Sequence, residues 1–259
     1  MRLSISLDKT VEQNAGLFYD KAKKAKKKRE GALEALEESK RQLKKLEKAV
    51  SLEIESKNVE EEHASRKKEW YEKFRWFISS SGFLCVGGRD ATTNDIVVKK
   101  HTAEGDIVFH TDIAGSPFFV VQSDGKEIDE GTINEVAAAT ASFSRAWKMG
   151  ISTTPVFWVT PSQVSKKAQA GEFLTKGAFM IYGKTNYVPN QISCCIGMVE
   201  GKIMCGPLSA VKKHCKTYVE VVQGNEKASK VAKFVQKKVG GTLDDIIRAL
   251  PSGGCKVKK

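Results

Sequence analysis

The 259-residue sequence has no long apolar run, few prolines and no paired-cysteine motif. No stretch approaches the length of a membrane span, and the first ten residues lack the apolar core and cleavage site of a signal peptide. We therefore expect a cytoplasmic protein without a membrane partner. The six cysteines are scattered and form no C-x-x-C pair, which argues against a zinc knuckle or a disulfide framework. We expect reduced, mostly packed thiols.

Catalytic motifs are scarce as well. The sequence contains no G-x-S-x-G elbow of a serine hydrolase. The stretch "AFMIYGKT" (178–185) fits a relaxed phosphate-loop pattern, but Phe179, Met180 and Tyr182 are bulky strand formers where that loop needs small residues. We expect neither serine nor nucleotide hydrolysis.

Positive charge, by contrast, is abundant. The chain has 43 lysines and arginines against 31 acidic residues, which gives a net charge of +12 and an isoelectric point near 9.3. A surplus of this size favours a polyanionic partner, with nucleic acid the leading candidate. The hydrophobic content of 41% is sufficient for a real core.

The first part of the chain is predicted to be a long helical arm over residues 1–69. Residues 11–69 contain no proline and are rich in Lys, Glu, Ala and Leu. Leu36, Leu43 and Val50 recur every seven residues, and Leu46 follows Leu43 by three. Together they predict a short coiled-coil seam that requires a partner helix. The run "KAKKAKKKR" (21–29) has seven basic residues in nine, which favours contact with phosphates over solvation alone.

The remainder, residues 70–259, is predicted to be an α+β domain on a mixed or antiparallel sheet with packed helices. Strands are expected over 83–86, 96–99, 106–113, 118–122, 156–160, 178–182, 193–199 and 217–222. Thr132 and Glu135 form a capping box for a helix that ends at Gly150. Two further helices, over 226–239 and 242–250, form a C-terminal extension that starts near residue 224.

The stretch "DIVFHTDIAGSP" (106–117) is the strongest candidate for a chemical site. Alternation along a strand places Asp106, Val108, His110 and Asp112 on one polar face and Ile107 on the core face. A histidine with nearby carboxylates can bind a metal or act as a base. No other histidine has a recognisable metal spacing to His110, however, so we favour a hydrogen-bonded histidine in a polar surface over a metal site or a catalytic residue.

A second surface is predicted from lysines interleaved with tyrosines and glycines, a combination that binds single-stranded or loop RNA through phosphate contacts and base stacking. The candidate RNA-binding residues are Arg89, Lys99, Lys100, His110, Lys166, Lys167, Lys176, Lys184, Tyr182 and Tyr187. Phe173 and Phe179 lie in the same stretch, and we favour core positions for both, whereas Tyr182 and Tyr187 fit either a surface or a core position.

Several long blocks resemble one family. "WYEKFRWFISSSGFLCVGGRDATTNDIVVKKH", "GDIVFHTDIAGSP", "TINEVAAATASFSRAW" and "QVSKKAQAGEFLTKGAFMIYGKTNYVP" are similar to the NFACT-R domain of the NFACT family of NEMF-like and RqcH-like proteins. The preceding "SLDKTVEQNAGLFYDKAKKAKKK" resembles the segment that leads into the family's coiled coil, and the closing "LDDIIRALPSGGC" resembles the ends of archaeal members.

The resemblance implies an RNA-binding module of a ribosome-associated quality control factor. Its expected partners are rRNA of the large ribosomal subunit, the tRNA of stalled complexes and a protein that docks on the arm. The family's N-terminal half, which is linked to tailing of the stalled chain, has no counterpart in these residues, so we expect binding without enzymatic activity and without a cofactor or metal. The alternative is a metal-dependent or accessory RNA-modification protein that uses Asp106, His110 and Asp112.

Overall fold

The computed structural model describes residues 4–65, 68–167 and 174–258, with the side chains of residues 47–65 left out. The chain divides into two compact units, Met1–Asn58 and Val59–Lys259. The described residues form seven α-helices, numbered in chain order: α1 Val11–Ser65, α2 Ala91–Lys100, α3 Glu130–Ser142, α4 Arg145–Met149, α5 Leu208–His214, α6 Ala228–Val239 and α7 Leu243–Ala249. None of these described helices is long and apolar enough to cross a membrane.

The predicted α+β class is confirmed, and so is the long N-terminal helix. Helix α1 runs for 55 residues. The seam residues Leu36, Leu43 and Leu46 are exposed on it, while the side chain of Val50 lies outside the described part. The partner helix that this seam requires stays a prediction.

The described residues also form twelve strands: β1 Arg75–Ile78, β2 Leu84–Gly87, β3 Ile107–Thr111, β4 Phe119–Val121, β5 Val156–Val159, β6 Val164–Ser165, β7 Met180–Ile181, β8 Asn186–Val188, β9 Cys194–Val199, β10 Lys202–Gly206, β11 Tyr218–Glu226 and β12 Cys255–Val257. One antiparallel sheet has the order β1-β2-β4-β3-β5-β8, a second has the order β10-β9-β11-β12, and β6 pairs with β7.

Both faces of the six-stranded sheet are buried. Phe109 and Phe119 face α3 in the larger core, whereas Val108 and Val120 belong to a second core with Val97 of α2. The prediction of one core face and one polar face on β3 is therefore wrong at Val108, which is fully buried. A strand covered on both sides carries apolar residues toward both, so alternation alone cannot identify its solvent face.

Local signals explain where the predicted elements differ from the structure. The strand expected over 96–99 is wrong, because Asp90 caps α2 by accepting a hydrogen bond from the Thr93 amide at 2.8 Å. Helix α3 begins earlier than expected, since Asp129 and not Thr132 is its cap. The expected single helix is divided by Phe143 and Ser144, and Ser144 caps α4. Gly150 ends it as predicted, with a left-handed φ of 73°.

All six cysteines are free and buried, as predicted. Burial raises the pKa of Cys195 to about 12 and that of Cys215 to about 11. Cys194 and Cys205 are in contact, with 3.5 Å between their sulfur atoms. The thiols are thus packing residues of the core.

Candidate nucleic-acid interface

His110 lies at the floor of a groove and stacks on an aromatic ring. Its imidazole is 4.1 Å from the ring centroid of Phe118 with an interplanar angle of 25°, and Phe157 meets it edge-on at 6.2 Å. Burial lowers the pKa of His110 to about 4, against some increase from backbone hydrogen bonds and Asp112. The ring is therefore neutral at neutral pH and offers a flat surface rather than a charge.

Helix α2 is joined to the loop that carries Phe118 through one buried amide. Asn94 accepts a hydrogen bond from the Phe118 amide at 3.1 Å and donates one to the Ser116 carbonyl at 3.4 Å. A Cβ atom at Gly88 would lie 1.8 Å from the Asn94 side-chain oxygen, so no larger residue fits there. The glycine allows the loop before α2 to approach this amide closely.

A tight turn at Gly177 also lines the groove and packs against α2. Gly177 has a φ of +80°, and a Cβ there would lie 2.5 Å from the Cα of Ala91 at the start of α2. Its amide donates a hydrogen bond to Asp95 at 3.0 Å. This contact holds the neighbouring Lys176 at the groove.

The groove has a volume of about 520 Å³ and is strongly basic. Its cationic lining residues are Arg75, Arg89, Arg145, Lys148 and Lys176. Asp90 is the one carboxylate among the described residues that line it, and that carboxylate accepts from the Thr93 amide and hydroxyl at 2.8 and 3.0 Å. Cations around the partly exposed imidazole of His110 match the phosphates and bases of an unpaired RNA strand.

The comparisons with known proteins bear on this groove. The family model of the NFACT protein RNA binding domain matches residues 73–183, which include all five cations and His110. The chain carries an RNA-binding domain of the NFACT family. It is 42% identical over 202 residues to the "Archaeal Rqc2 homolog aRqcH" of Methanocaldococcus jannaschii, a match that covers 75% of this chain and 30% of the relative.

Two eukaryotic relatives match a similar share of this chain. The human "Ribosome quality control complex subunit NEMF" is 38% identical over 177 residues, covering 68% of this chain and 16% of its own length. The Drosophila melanogaster homolog of NEMF is 36% identical over 190 residues, covering 73% and 19%. The chain therefore spans less than a third of the length of these relatives.

The NFACT RNA-binding domain places three of the predicted residues at the groove, namely Arg89, His110 and Lys176. Lys99 and Lys100 lie at the opposite end of α2 from Arg89, and Lys99 pairs with Asp95 at 3.3 Å. Lys167 and Lys184 are exposed but do not line the groove. Phe173 lies outside the described residues.

Lys166 has a structural position in the domain. Its ammonium group is 2.8 Å from Asp95, donates to the Ala178 carbonyl at 2.6 Å and lies 4.2 Å from the ring centroid of Phe179. The ion pair joins the residue that follows β6 to α2. A charge held in this way is less available to a phosphate.

The two predicted tyrosines have exposed rings with occupied hydroxyls. Tyr182 donates a hydrogen bond to the Lys167 carbonyl at 2.9 Å. Tyr187 approaches both oxygens of Asp112 at 3.3 Å and meets Phe157 edge-on at 5.7 Å. Both rings could still stack on a base, since 39% of Tyr182 and 58% of Tyr187 is exposed.

The structure does not bring Asp106 to one polar face with His110 and Asp112. Asp106 is buried, and it accepts hydrogen bonds from the amides of Ala103 and Ser123, both at 2.8 Å. It therefore stabilises the turn before β3. In the part of the chain that the structure describes, no group of three or more His, Cys, Asp or Glu side chains could hold a metal ion.

The groove residues that were not predicted as site residues include three cations, Arg75, Arg145 and Lys148, and the amide of Asn94. Arg145 and Lys148 are exposed on α4. Both lie outside the apolar face of the predicted helix, which was a usable sign in the sequence that they are available to a ligand. Arg145 Nε would be 4.0 Å from a Cβ at Gly115, so the glycine turn and α4 meet at the groove. Nothing in the sequence marks Arg75, which sits in an aromatic run typical of core.

Proposed function

We propose that this chain is the RNA-binding part of a ribosome-associated quality control factor. The observation that supports this most directly is the basic groove around the stack of His110 and Phe118. The relatives' names, which refer to ribosome quality control, supply the context in which such a groove would act.

In this proposal an unpaired base stacks at the floor while phosphates contact the walls. His110 stays neutral and contributes a π-face. Arg145 and Lys148 on α4 and Lys176 in the Gly177 turn supply the charge from two sides. Stacking is tolerant of base identity, so we expect preference for unpaired over paired RNA rather than for a base sequence.

We further propose that the chain docks on rRNA of the large ribosomal subunit and on tRNA, in the cytoplasm, and that it binds without catalysing a reaction. The family match and the basic surface support docking on RNA. Helix α1 would then be a spacer or a platform for a protein partner, since its seam leucines are exposed.

Loss of the α4 cations tests the groove. We expect the double variant Arg145→Ala/Lys148→Ala to bind a single-stranded RNA oligonucleotide at least about tenfold more weakly. Its plot of log affinity against log salt should be flatter by about 0.7 for each lost phosphate contact. The control is Lys126→Ala/Lys213→Ala, which removes two exposed lysines that do not line the groove. Equal affinity for the two double variants would refute the groove as the RNA site.

Co-sedimentation with separated ribosomal subunits tests the docking partner. We expect retention on large subunits at moderate salt and weaker retention on small subunits. Equal binding to both, lost together as salt rises, would mean non-specific attraction and would contradict the proposed docking.

A further inference from the structure

A second basic cavity adjoins the groove and shares two arginines with it. This cavity, the arginine recess, has a volume of about 430 Å³. Its cationic lining residues are Lys73, Arg75, Arg89 and Arg248. Residues 250–253 also line it, and they lie outside the part of the chain that the family model matches.

Arg75 is a buried cation without an ion-pair partner among the described residues. Only 6% of it is exposed. Its guanidinium donates to the Leu250 carbonyl at 3.2 Å and to the Ser252 hydroxyl at 3.3 Å, and lies 4.3 Å from the ring centroid of Phe143. Neutral acceptors orient this group but do not balance its charge, which is costly for a buried ion.

The other arginines add like charge. Burial, with a smaller contribution from the neighbouring Arg89, lowers the pKa of Arg75 to about 10. Burial and the proximity of Arg248 likewise lower the pKa of Arg89. The carboxylate of Asp90, which also lines the recess, accepts hydrogen bonds from Thr93. Asp245 lies near Arg248 but pairs with Lys68 at 3.1 Å. With four cations and one carboxylate, the lining of the recess carries an excess of positive charge that a bound anion would balance.

The closing segment is held firmly in place. The Trp147 indole donates a hydrogen bond to the Gly254 carbonyl at 3.1 Å, and β12 pairs with β11 immediately afterwards. At Gly253 a Cβ would lie 3.3 Å from the Cα of Lys148, so this segment packs directly against α4. The orientation of Arg75 thus depends on residues 250–254.

We propose that the arginine recess binds a phosphodiester group of the same RNA strand that occupies the groove. Planar guanidinium groups from β1, from the loop before α2 and from α7 line one cavity, and two of them also line the groove. Arginine matches phosphate through paired N–H groups, which lysine cannot reproduce. This inference rests on the proposed function and extends the interface to α7 and residues 250–253.

Arg248 is the residue for the test because it is exposed on α7, and its replacement should leave the fold intact. We expect Arg248→Ala to reduce affinity for a single-stranded RNA oligonucleotide about tenfold and to flatten the salt dependence by about 0.7. Arg248→Lys should recover part of the affinity, whereas the control Lys213→Ala should match the wild type. Circular dichroism would verify the fold of each variant.

The outcomes separate the two proposals. Unchanged affinity and salt slope for Arg248→Ala, with weakened binding by Arg145→Ala/Lys148→Ala, would overturn the recess and leave the groove in place. Unchanged binding by both variants would overturn both. If inorganic phosphate raised the melting temperature of the wild type but not of Arg248→Ala, while RNA affinity stayed equal, the recess would belong to a small phosphate ligand and the RNA assignment would be wrong.

Discussion

His110 illustrates how a titratable side chain can serve an RNA surface through its shape. Stacked on Phe118 and largely buried, it keeps a pKa of about 4. Protonation therefore does not add attraction to phosphates anywhere in the physiological pH range. Substitution of this ring should be judged by stacking as well as by charge.

The low pKa of His110 predicts a loss of stability in acid. The unfolded chain binds a proton near the ordinary pKa of 6.5, while the folded chain does so only near 4. His110 does not change the free energy of unfolding above pH 6.5, where it is neutral in both states. As the pH decreases from 6.5 to 4, this residue lowers the free energy of unfolding by on the order of 2 to 3 kcal/mol. Urea unfolding of wild type and His110→Phe across this range should show a smaller loss in the variant. Parallel curves would contradict the assignment.

Lys166 should matter more for stability than for RNA affinity. Because its ammonium group pairs with Asp95 and donates to the Ala178 carbonyl, we expect Lys166→Gln to lower the free energy of unfolding by about 1 to 2 kcal/mol. Lys176→Gln, at an exposed position of the groove, should instead weaken RNA binding with little change in unfolding. A larger affinity loss in Lys166→Gln than in Lys176→Gln would show that Lys166 contacts phosphate.

Among the elements, α2 organises the interface. Asp90 caps its N-terminus, Asn94 connects it to the Phe118 loop, and its first turn packs against Gly177. The β-branched run over 96–98 suggested a strand, because propensity is read locally. Burial of Val97 in the second core and the Asp90 cap instead favour a helix, and this tertiary preference cannot be read from the run itself.

Gly125 and Gly177 both have a positive φ, and substituting each of them distinguishes the cost of backbone strain from the cost of a steric clash. Gly125 has a φ of 77°, and a Cβ atom there would have no neighbour within 4 Å, whereas a Cβ at Gly177 would meet Ala91 at 2.5 Å. We expect Gly125→Ala to cost about 1 kcal/mol and to keep RNA affinity. Gly177→Ala should cost more than about 2 kcal/mol and weaken RNA binding, because Lys176 moves.

Thermal unfolding and RNA titration of both glycine variants would check this prediction. Equal destabilisation of the two variants would mean that the turn can shift away from α2 without loss. Retained RNA affinity in Gly177→Ala would mean that the position of Lys176 is not critical.

For the chain as a whole, charge is distributed over two places with different expected roles. The basic run over 21–29 is exposed on α1, and the groove cations surround a defined cavity. Charge on an open helix attracts any nucleic acid, whereas charge placed around stacked rings can select unpaired strands.

Neutralising part of the α1 run should therefore reduce affinity without changing preference. We expect the quadruple variant Lys23→Gln/Lys24→Gln/Lys27→Gln/Lys28→Gln to bind large and small ribosomal subunits more weakly by the same factor at low salt. Sedimentation at several salt concentrations would measure it. A change in the ratio of the affinities for large and small subunits would mean that α1 contributes to the selectivity.

Sequence reasoning found the class, the long helix and the basic character of the chain, because these depend on composition and local pattern. Three of the predicted residues, Arg89, His110 and Lys176, line the groove. Arg89 and Lys176 each stand next to a glycine in the sequence. Arg75 and Arg248 were missed since they meet only in the folded chain, 173 positions apart in sequence (248 minus 75). The ion pair of Lys166 with Asp95 could not be predicted either, because a lysine in the sequence gives no sign of the aspartate that will pair with it.

The burial of all six cysteines has a practical consequence for optical experiments. Thiols of raised pKa inside the core react slowly with maleimides. A cysteine introduced at Lys176 should therefore take up a fluorophore selectively, without removal of the native thiols. Such a probe at the groove wall would report RNA arrival directly, in real time and on single molecules.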